Sequence, residues 1–239
     1  MTIDTKITIG EIVAEDFRTA SVFSKYGIDF CCKGNRTLEE VCEKKNISVS
    51  ELIEGLALAS SSITGHATDY LSWPTDLLID YIEKKHHRYV EEKTPVLLQY
   101  LDKLCKVHGE RHPELFIIHE LFSASAGELA AHMKKEELLL FPFIKKMLKA
   151  KNDNVPLERP HFGTVENPVA MMKDEHVTEG ERFEEIAALS DNYTPPADAC
   201  STYRVTFAML KEFEQDLHMH IHLENNILFP RAIALEKEF

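Results

Sequence analysis

Apolar residues recur at every third or fourth position from Thr75 to the end of the chain, which is the spacing of an α-helix that buries one face. This pattern predicts four long helices, over residues 75–107, 113–150, 166–190 and 200–236. Glycine, proline and asparagine residues separate them. Four helices with short connections are typical of an up-down-up-down four-helix bundle.

Shorter helices are predicted before residue 60. An opening helix covers residues 9–23, and Thr37 is placed as the N-cap of a helix that ends near Lys45. Ser48 and Ser50 are residues of the type that caps helices, and they are predicted to start a further helix. Since the bundle region also lacks strand patterns, the predicted fold class is all-α.

A small, polar stretch, SSSITGHATDYLSWP, separates these short helices from the predicted bundle. Such a composition is typical of a domain boundary. The sequence therefore predicts a small helical domain at residues 1–62, a linker at 63–74 and the bundle at 75–239.

The chain carries 40 acidic and 27 basic residues, a net charge of −13. This charge repels a phosphate backbone and argues against nucleic acid as a partner. The N-terminus lacks the segments of a signal peptide, and no apolar run approaches the roughly 18 residues of a membrane span. Five cysteines, an odd number, do not suggest a secreted disulfide framework. We therefore predict a soluble, cytoplasmic protein with no membrane partner.

One motif occurs twice in the predicted bundle. HMKKEELLLFP at residues 132–142 and HIHLENNILFP at residues 220–230 share the pattern H-x3-E-x2-[LI]-L-F-P, and they fall on the second and fourth helices. His87 lies 45 residues before the first motif, and His176 lies 44 residues before the second. Histidine and glutamate four residues apart share one helical face, so both side chains can reach the bundle core.

The two motifs and the two upstream histidines predict a metal site in the bundle. Imidazole and carboxylate ligands suit iron, manganese or zinc. Six ligands exceed the four of a tetrahedral zinc site, but they suffice for two ions if both glutamates bridge them, and an oxo or hydroxo bridge would still leave a position open for an exogenous ligand. The predicted ligands are His87, His132, Glu136, His176, His220 and Glu224. Glu137, next to Glu136, is predicted to point elsewhere.

The other histidines near the motifs are assigned by helical angle. His218 and His222 point about 160° away from His220 and are predicted to face away from the metal. Within the doublet His86–His87, only one side chain is expected to face the core, and the repeat spacing favours His87. Three further histidines, interpreted as surface or capping residues, are His108, His112 and His119.

An N-terminal stretch, DFCCKGNRTLEEVC, accompanies the bundle motifs. Together with HMKKEELLLFP, the histidine in KDEHVTEGE and HIHLENNILFP, it resembles the iron-sulfur cluster repair di-iron family, also called repair of iron centres proteins, of the ScdA/YtfE type. The resemblance covers nearly the whole chain. It implies a small N-terminal domain and a C-terminal hemerythrin-like bundle that holds a non-haem di-iron centre.

Members of that family help restore iron-sulfur clusters damaged by nitric oxide or oxidants. The resemblance therefore implies two iron ions as cofactors, damaged iron-sulfur proteins as partners, and nitric oxide or oxygen as a small ligand. It leaves open whether the family acts by donating iron, by removing nitric oxide as an enzyme, or by both. A di-iron sensor or carrier without repair activity, an oxidase or ferroxidase, and a bundle without metal are the alternatives. The sequence also leaves a homodimer open.

The vicinal thiols Cys31 and Cys32 lie in the loop that the family uses for its paired cysteines. Beside Lys33 and a helix start, they are expected to be more acidic and more reactive than a free thiol, and so to receive iron, bind nitric oxide or pass electrons. The alternative is that they are two small residues in a tight loop. Three other cysteines, assigned no chemistry, are Cys42, Cys105 and Cys200.

Overall fold

The computed structural model describes residues 4–61 and 68–239. The all-α prediction is confirmed, since over those residues the pairing of extended segments is limited to one isolated bridge between Thr8 and Thr37. In chain order the α-helices are α1 (Ile9–Glu15), α2 (Ala20–Lys25), α3 (Leu38–Lys45), α4 (Val49–Ser61), α5 (Thr75–Tyr81), α6 (Arg88–His108), α7 (Glu114–Lys135), α8 (Phe141–Asp153), α9 (Glu166–Leu189), α10 (Ser201–Leu223) and α11 (Phe229–Glu236).

Capping side chains set where the N-terminal helices begin, and they correct two predictions. The single opening helix is wrong, because α1 ends before Asp16, whose backbone is extended and whose carboxylate accepts a hydrogen bond from the Arg18 amide. Thr37 caps α3 as predicted. Of the two serines predicted to start α4, Ser48 precedes the helix and accepts from the Glu51 amide, whereas Ser50 is already the second residue of the helix.

The four predicted bundle helices are present. The first combines α5 with α6, the second combines α7 with α8, the third is α9, and the fourth combines α10 with α11. α6 packs against α7 and α10, and α9 packs against α7 and α10. Each helix therefore lies beside its neighbours in the chain, which is the arrangement of an up-down-up-down bundle.

Within the described part of the bundle, π-helical turns interrupt three helices, at Ile82–His87, Glu136–Leu140 and Glu224–Leu228. In the last two turns the hydrogen bond spans five residues: the Phe141 amide donates to the Glu136 carbonyl, and the Phe229 amide donates to the Glu224 carbonyl. The next residue is Pro142 or Pro230, which has no amide proton and cannot continue a regular α-helical ladder. The L-F-P of each motif thus accompanies a wide helical turn that starts at the glutamate.

The predicted linker at residues 63–74 lies partly outside the described residues. In its described part, Tyr70–Ser72 form a 3₁₀ turn, and the buried Tyr70 ring packs on Trp73 and on Tyr81 of α5. No helix in the described ranges is long and apolar enough to cross a membrane.

The apolar core forms two clusters, and the predicted ligands fall between them. One cluster joins the N-terminal helices to one half of the bundle and contains Phe23, Phe122 and Phe213. The other fills the opposite half, around Phe141 and Phe229. On each bundle helix, the ligands lie between a residue of one cluster and a residue of the other. The polar site is therefore closed by apolar packing at both ends.

Candidate metal centre

The structure brings the six predicted ligands together as two groups of four, because both glutamates belong to both groups. One group consists of His87, Glu136, His220 and Glu224, and the other consists of His132, Glu136, His176 and Glu224. Within each group the ligand atoms all lie within 4.8 Å of one another. All six side chains are buried.

Glu136 divides its two oxygens between the groups. Its Oε2 lies 3.4 Å from Nε2 of His87, and its Oε1 lies 3.4 Å from Nε2 of His132. The π-helical turn that starts at Glu136 presents this carboxylate between the two imidazoles. One carboxylate can therefore contact two ions.

Glu224 repeats this arrangement from the fourth bundle helix. Its Oε1 lies 3.0 Å from Nε2 of His220, and its Oε2 lies 3.1 Å from Nε2 of His176. With both carboxylates divided in this way, each of two ions would receive two imidazole nitrogens and two carboxylate oxygens.

Buried atoms without partners show that these residues fit bound cations. Both oxygens of Glu136, Oε2 of Glu224 and Nε2 of His87 have no partner in hydrogen-bond geometry, although both glutamates are fully buried. A buried charge without a partner costs several kcal/mol. Cations between the imidazoles and the carboxylates would supply the missing partners, and this nitrogen and oxygen donor set is one that iron accepts.

The imidazoles keep the two carboxylates ionised. Burial and the neighbouring Glu224 raise the pKa of Glu136, but His132 and His87 outweigh them and hold it below its ordinary value. Burial likewise raises the pKa of Glu224, and its two histidine neighbours hold it well below the ordinary value. Burial lowers the pKa of His132, yet Glu136 and the other nearby carboxylates raise it to about 9. A cation that binds here therefore displaces protons from imidazole.

Two of the predicted ligand histidines have a carboxylate within hydrogen-bond distance of Nδ1, the ring nitrogen that does not face Glu136. Nδ1 of His87 lies 2.9 Å from Glu137 Oε1, and Nδ1 of His132 lies 2.7 Å from Glu175 Oε2. Glu137 belongs to neither ligand group, as predicted, but it is close enough to orient His87. When Nδ1 donates to the carboxylate, Nε2 is free to bind an ion. No sequence pattern identifies these partners, because they lie on turns and helices far along the chain from the histidines that they contact.

We expect Glu137→Ala to weaken iron binding by about 10–100-fold, the usual effect of removing a group that orients a metal-bound histidine. His87 would lose the acceptor that holds its ring. Glu137→Gln keeps a side-chain oxygen and should retain most of the affinity. Competition with a chromophoric ferrous chelator measures the three affinities. Equal affinities of the alanine variant and the unsubstituted protein would contradict the role of Glu137.

Both histidines of the doublet are buried, so the prediction that only one can face the core is wrong. His86 is 2% exposed and His87 is 1% exposed. They end the π-helical turn Ile82–His87, which departs from the α-helical angles that the prediction assumes. Nδ1 of His86 lies 3.0 Å from Asp216 Oδ2, and its ring stacks on His220 at 5.7 Å. His86 is absent from both ligand groups and packs beside a ligand instead.

The face of α10 opposite His220 is covered by the N-terminal helices. The buried His222 ring lies 5.5 Å from the Phe17 ring and 6.1 Å from the Phe30 ring, and His218 also contacts Phe30 at 6.1 Å. Asn226, one turn after His222, donates to the Phe30 carbonyl. These two histidines lie outside both ligand groups, and they form part of the surface on which the N-terminal domain packs.

The N-terminal domain carries Cys31 and Cys32 to the third bundle helix. Sγ of Cys32 lies 3.2 Å from the carbonyl oxygen of His176. Asn225 links the same elements, since its Nδ2 donates to the Cys31 carbonyl and its Oδ1 lies 3.0 Å from Nδ1 of His176. The cysteine loop therefore contacts the backbone of the predicted ligand His176 directly. It is linked to the His176 imidazole through the side chain of Asn225.

The expectation of acidic thiols beside Lys33 and a helix start is wrong for Cys31. Its contact with Cys32, its burial and the charge of Asp29 raise the pKa of the Cys31 thiol well above its ordinary value. The Lys33 ammonium lies 3.8 Å from the Glu181 carboxylate, and α3 begins several residues after the cysteines.

One of the histidines interpreted as surface residues is buried. His108 is 5% exposed, and its Nε2 lies 3.2 Å from Sγ of Cys200, a thiol for which no chemistry is predicted. His112 and His119 are half-buried. His108 lies at the opposite end of α6 from the metal ligands, so this pair does not belong to the candidate metal centre.

A cavity of about 260 Å³ opens beside the ligands. His132, His176 and His220 contribute to its lining. The rest of its wall is made of apolar and charged side chains, namely Leu129, Ala131, Leu217 and Ile221, and Glu128, Lys135, Glu175 and Glu179. Because Glu128 is exposed and Glu175 is half-buried, the cavity joins the imidazoles to the outside of the bundle.

A four-helix bundle whose histidine pairs share two buried carboxylates defines a cation-binding domain of the hemerythrin class, and comparison with known proteins agrees. Residues 78–232 match the family described as the hemerythrin HHE cation binding domain. Residues 5–60 match ScdA_N, described as a domain of unknown function (DUF542).

Relatives match over nearly their whole length. The chain is 31% identical over 222 residues to the iron-sulfur cluster repair protein ScdA of Staphylococcus haemolyticus, covering 92% of this chain and 95% of the relative. It is 34% identical over 229 residues to the iron-sulfur cluster repair protein YtfE of an Enterobacter species, with coverage of 95% and 97%. It is 34% identical over 214 residues to the probable iron-sulfur cluster repair protein of Haemophilus influenzae, with coverage of 89% and 90%. The chain belongs to this ScdA/YtfE family of iron-sulfur cluster repair proteins.

Proposed function

We propose that the bundle holds two iron ions as a non-haem di-iron centre, and that the protein helps to restore iron-sulfur clusters damaged by nitrosative or oxidative stress. The observation that carries the di-iron proposal is the division of Glu136 and Glu224 between two histidine pairs, which supports two ions rather than one. The names of the relatives supply the repair role. Bound iron would supply a redox-active pair with a position open to a small ligand.

The protein's own residues hold the centre and control access to it. The two carboxylates offset the charge of the cations in a site that apolar clusters close at both ends. Glu128 and Glu175 lie in the wall of the cavity that reaches His132 and His176, where they pair with Arg182 and Lys135. Their carboxylates are of the ligand type that iron accepts. This supports iron donation to damaged clusters through the cavity.

The apolar side of the same cavity supports a second candidate function. Leu129, Leu217 and Ile221 give an uncharged diatomic molecule such as nitric oxide or oxygen a path to the histidines. Nitric oxide chemistry at the centre, or a sensor or carrier without repair activity, would use this path.

We further propose a cytoplasmic location, where free thiols persist, because all five cysteines are free. The domain limits 1–62 and 75–239 are part of the same proposal.

A reconstitution experiment tests the repair function. Iron-loaded protein is incubated anaerobically with a hydratase whose [4Fe-4S] cluster has been damaged by nitric oxide, with a reductant and a sulfide source. We expect hydratase activity to recover, and to recover far less with Glu224→Ala. Nitric oxide consumption is followed with an electrode in the same samples. Consumption without recovery would favour the sensor or carrier, and iron well below one ion per chain after reconstitution would contradict the di-iron centre.

A further inference from the structure

A third cluster of metal-binding side chains lies outside the bundle centre, in the cysteine loop of the N-terminal domain. It consists of Asp29, Cys31 and Cys32, whose ligand atoms all lie within 4.8 Å of one another. The geometry points to a third metal site at these residues, which takes a thiophilic divalent cation, ferrous iron or zinc. Two thiolates and one carboxylate leave a fourth position for water or an external ligand.

Two of the distances within the cluster match those around one tetrahedral ion. The Sγ atoms of Cys31 and Cys32 are 3.7 Å apart, and two thiolates bound at about 2.3 Å to a tetrahedral ion are separated by about 3.8 Å. Cys31 Sγ lies 3.5 Å from Asp29 Oδ1, and a thiolate and a carboxylate oxygen on such an ion are separated by about 3.5 Å. An ion could therefore bind with little movement of these donors.

Hydrogen bonds hold the loop in this shape. Oδ1 of Asp29 accepts from the amides of Cys31 at 3.1 Å and Cys32 at 2.9 Å. Arg36 donates to the carbonyls of Asp29 and Lys33. Donors held in place by such contacts lose less conformational freedom on binding an ion.

The cluster is open to solvent on one side and contacts the bundle on the other. Asp29 and Cys32 are half-buried, so an ion can reach them without displacing a bundle helix. Cys32 Sγ rests on α9 at Gly180, where an added Cβ would lie only 3.1 Å from the sulfur. The Cys31 carbonyl accepts from Asn225, which also contacts His176. The third site would therefore be connected to His176, a predicted ligand of the bundle centre, through the side chain of Asn225.

Binding of a divalent cation at this site requires that both thiols lose their protons. Each of the two thiols gives up its proton to solvent, so the dication, two thiolates and one carboxylate together carry one negative charge. The guanidinium of Arg36, which donates to the Asp29 carbonyl, belongs to the same loop and offsets this charge. No electron is transferred, and no oxidant is required.

Cobalt binding to the iron-loaded, full-length protein tests the proposal. Bundle iron is first measured, and Co²⁺ is then added anaerobically. We expect one bound cobalt per chain with sulfur-to-cobalt charge-transfer absorption. Competition with Fe²⁺ and with Zn²⁺ in separate samples shows which of the two ions the site holds more tightly. A folded protein without the charge-transfer absorption would overturn the proposal.

Substitutions locate the bound ion. Cys32→Ser should abolish the absorption, and Asp29→Asn, whose oxygen still accepts from the two loop amides, should weaken cobalt binding at least about tenfold. Cys200→Ser removes an exposed thiol elsewhere and should change nothing. Charge-transfer absorption that persists in Cys32→Ser would contradict the proposed third metal site. Because bundle iron is measured separately in each sample, loss of the di-iron centre and loss of the third site are distinguishable.

Discussion

Replacing Glu224 with alanine is expected to empty both metal positions, so that iron falls from two ions per chain to nearly none. Glu224 gives one oxygen to the group of His220 and the other to the group of His176, and it is fully buried. His220→Ala removes a ligand from one group only, so it should leave the other position partly occupied. Colorimetric iron analysis and the ultraviolet-visible spectrum after anaerobic reconstitution measure both effects. An iron content of Glu224→Ala equal to that of the unsubstituted protein would contradict the bridging role.

His222→Gln is the matched control for Glu224→Ala. His222 is on the same helix, two residues away and 1% exposed, but it belongs to neither ligand group. Because His218 and His222 are predicted to face away from the metal, replacing both with glutamine should leave the iron content intact. The structure adds an expected loss of thermal stability, because both rings contact Phe30 of the N-terminal domain. A folded His222→Gln variant that fails to bind iron would show that burial, rather than ligation, controls the metal.

Removing iron should strongly destabilise the bundle. Without cations, Glu136 and Glu224 are ionised carboxylates that are fully buried, and three of their four oxygens lack a hydrogen-bond partner. An ion present at about 1,000 times its Kd stabilises the folded state by about 4 kcal/mol. For a chain of this size, that corresponds to a rise in Tm of roughly 8–16 °C. Thermal unfolding of chelated and reconstituted protein, followed anaerobically by circular dichroism, measures the difference.

The double variant Glu136→Gln, Glu224→Gln separates metal binding from other effects of iron. It removes both buried charges at nearly constant volume, so the metal-free variant should be at least as stable as the metal-free unsubstituted protein. Adding iron should leave its Tm unchanged. If the unsubstituted protein unfolds at the same temperature with and without iron, the carboxylate pair does not bind the ion.

Local patterns account for the parts of the site that the sequence predicts. A histidine and a glutamate four residues apart face the same way on any α-helix, so the repeated H-x3-E pairs predict ligands without knowledge of the fold. The L-F-P that follows each glutamate is equally local, although its effect, a π-helical turn, departs from regular helical angles. The same departure explains why His86 is buried, since the prediction for the doublet assumes α-helical geometry throughout.

The sequence by itself determined the all-α fold, the four bundle helices and the six side chains that meet between them, because helical periodicity and repeated pairs act over a few residues. Only the tertiary structure decided that Glu137 and Glu175 face ligand imidazoles, that His218 and His222 support the N-terminal domain, and that Cys31 and Cys32 lie beside His176. These contacts join residues that are 43 to 192 positions apart in the sequence. Their existence depends on how the N-terminal domain and the bundle helices pack, and no local pattern carries that information.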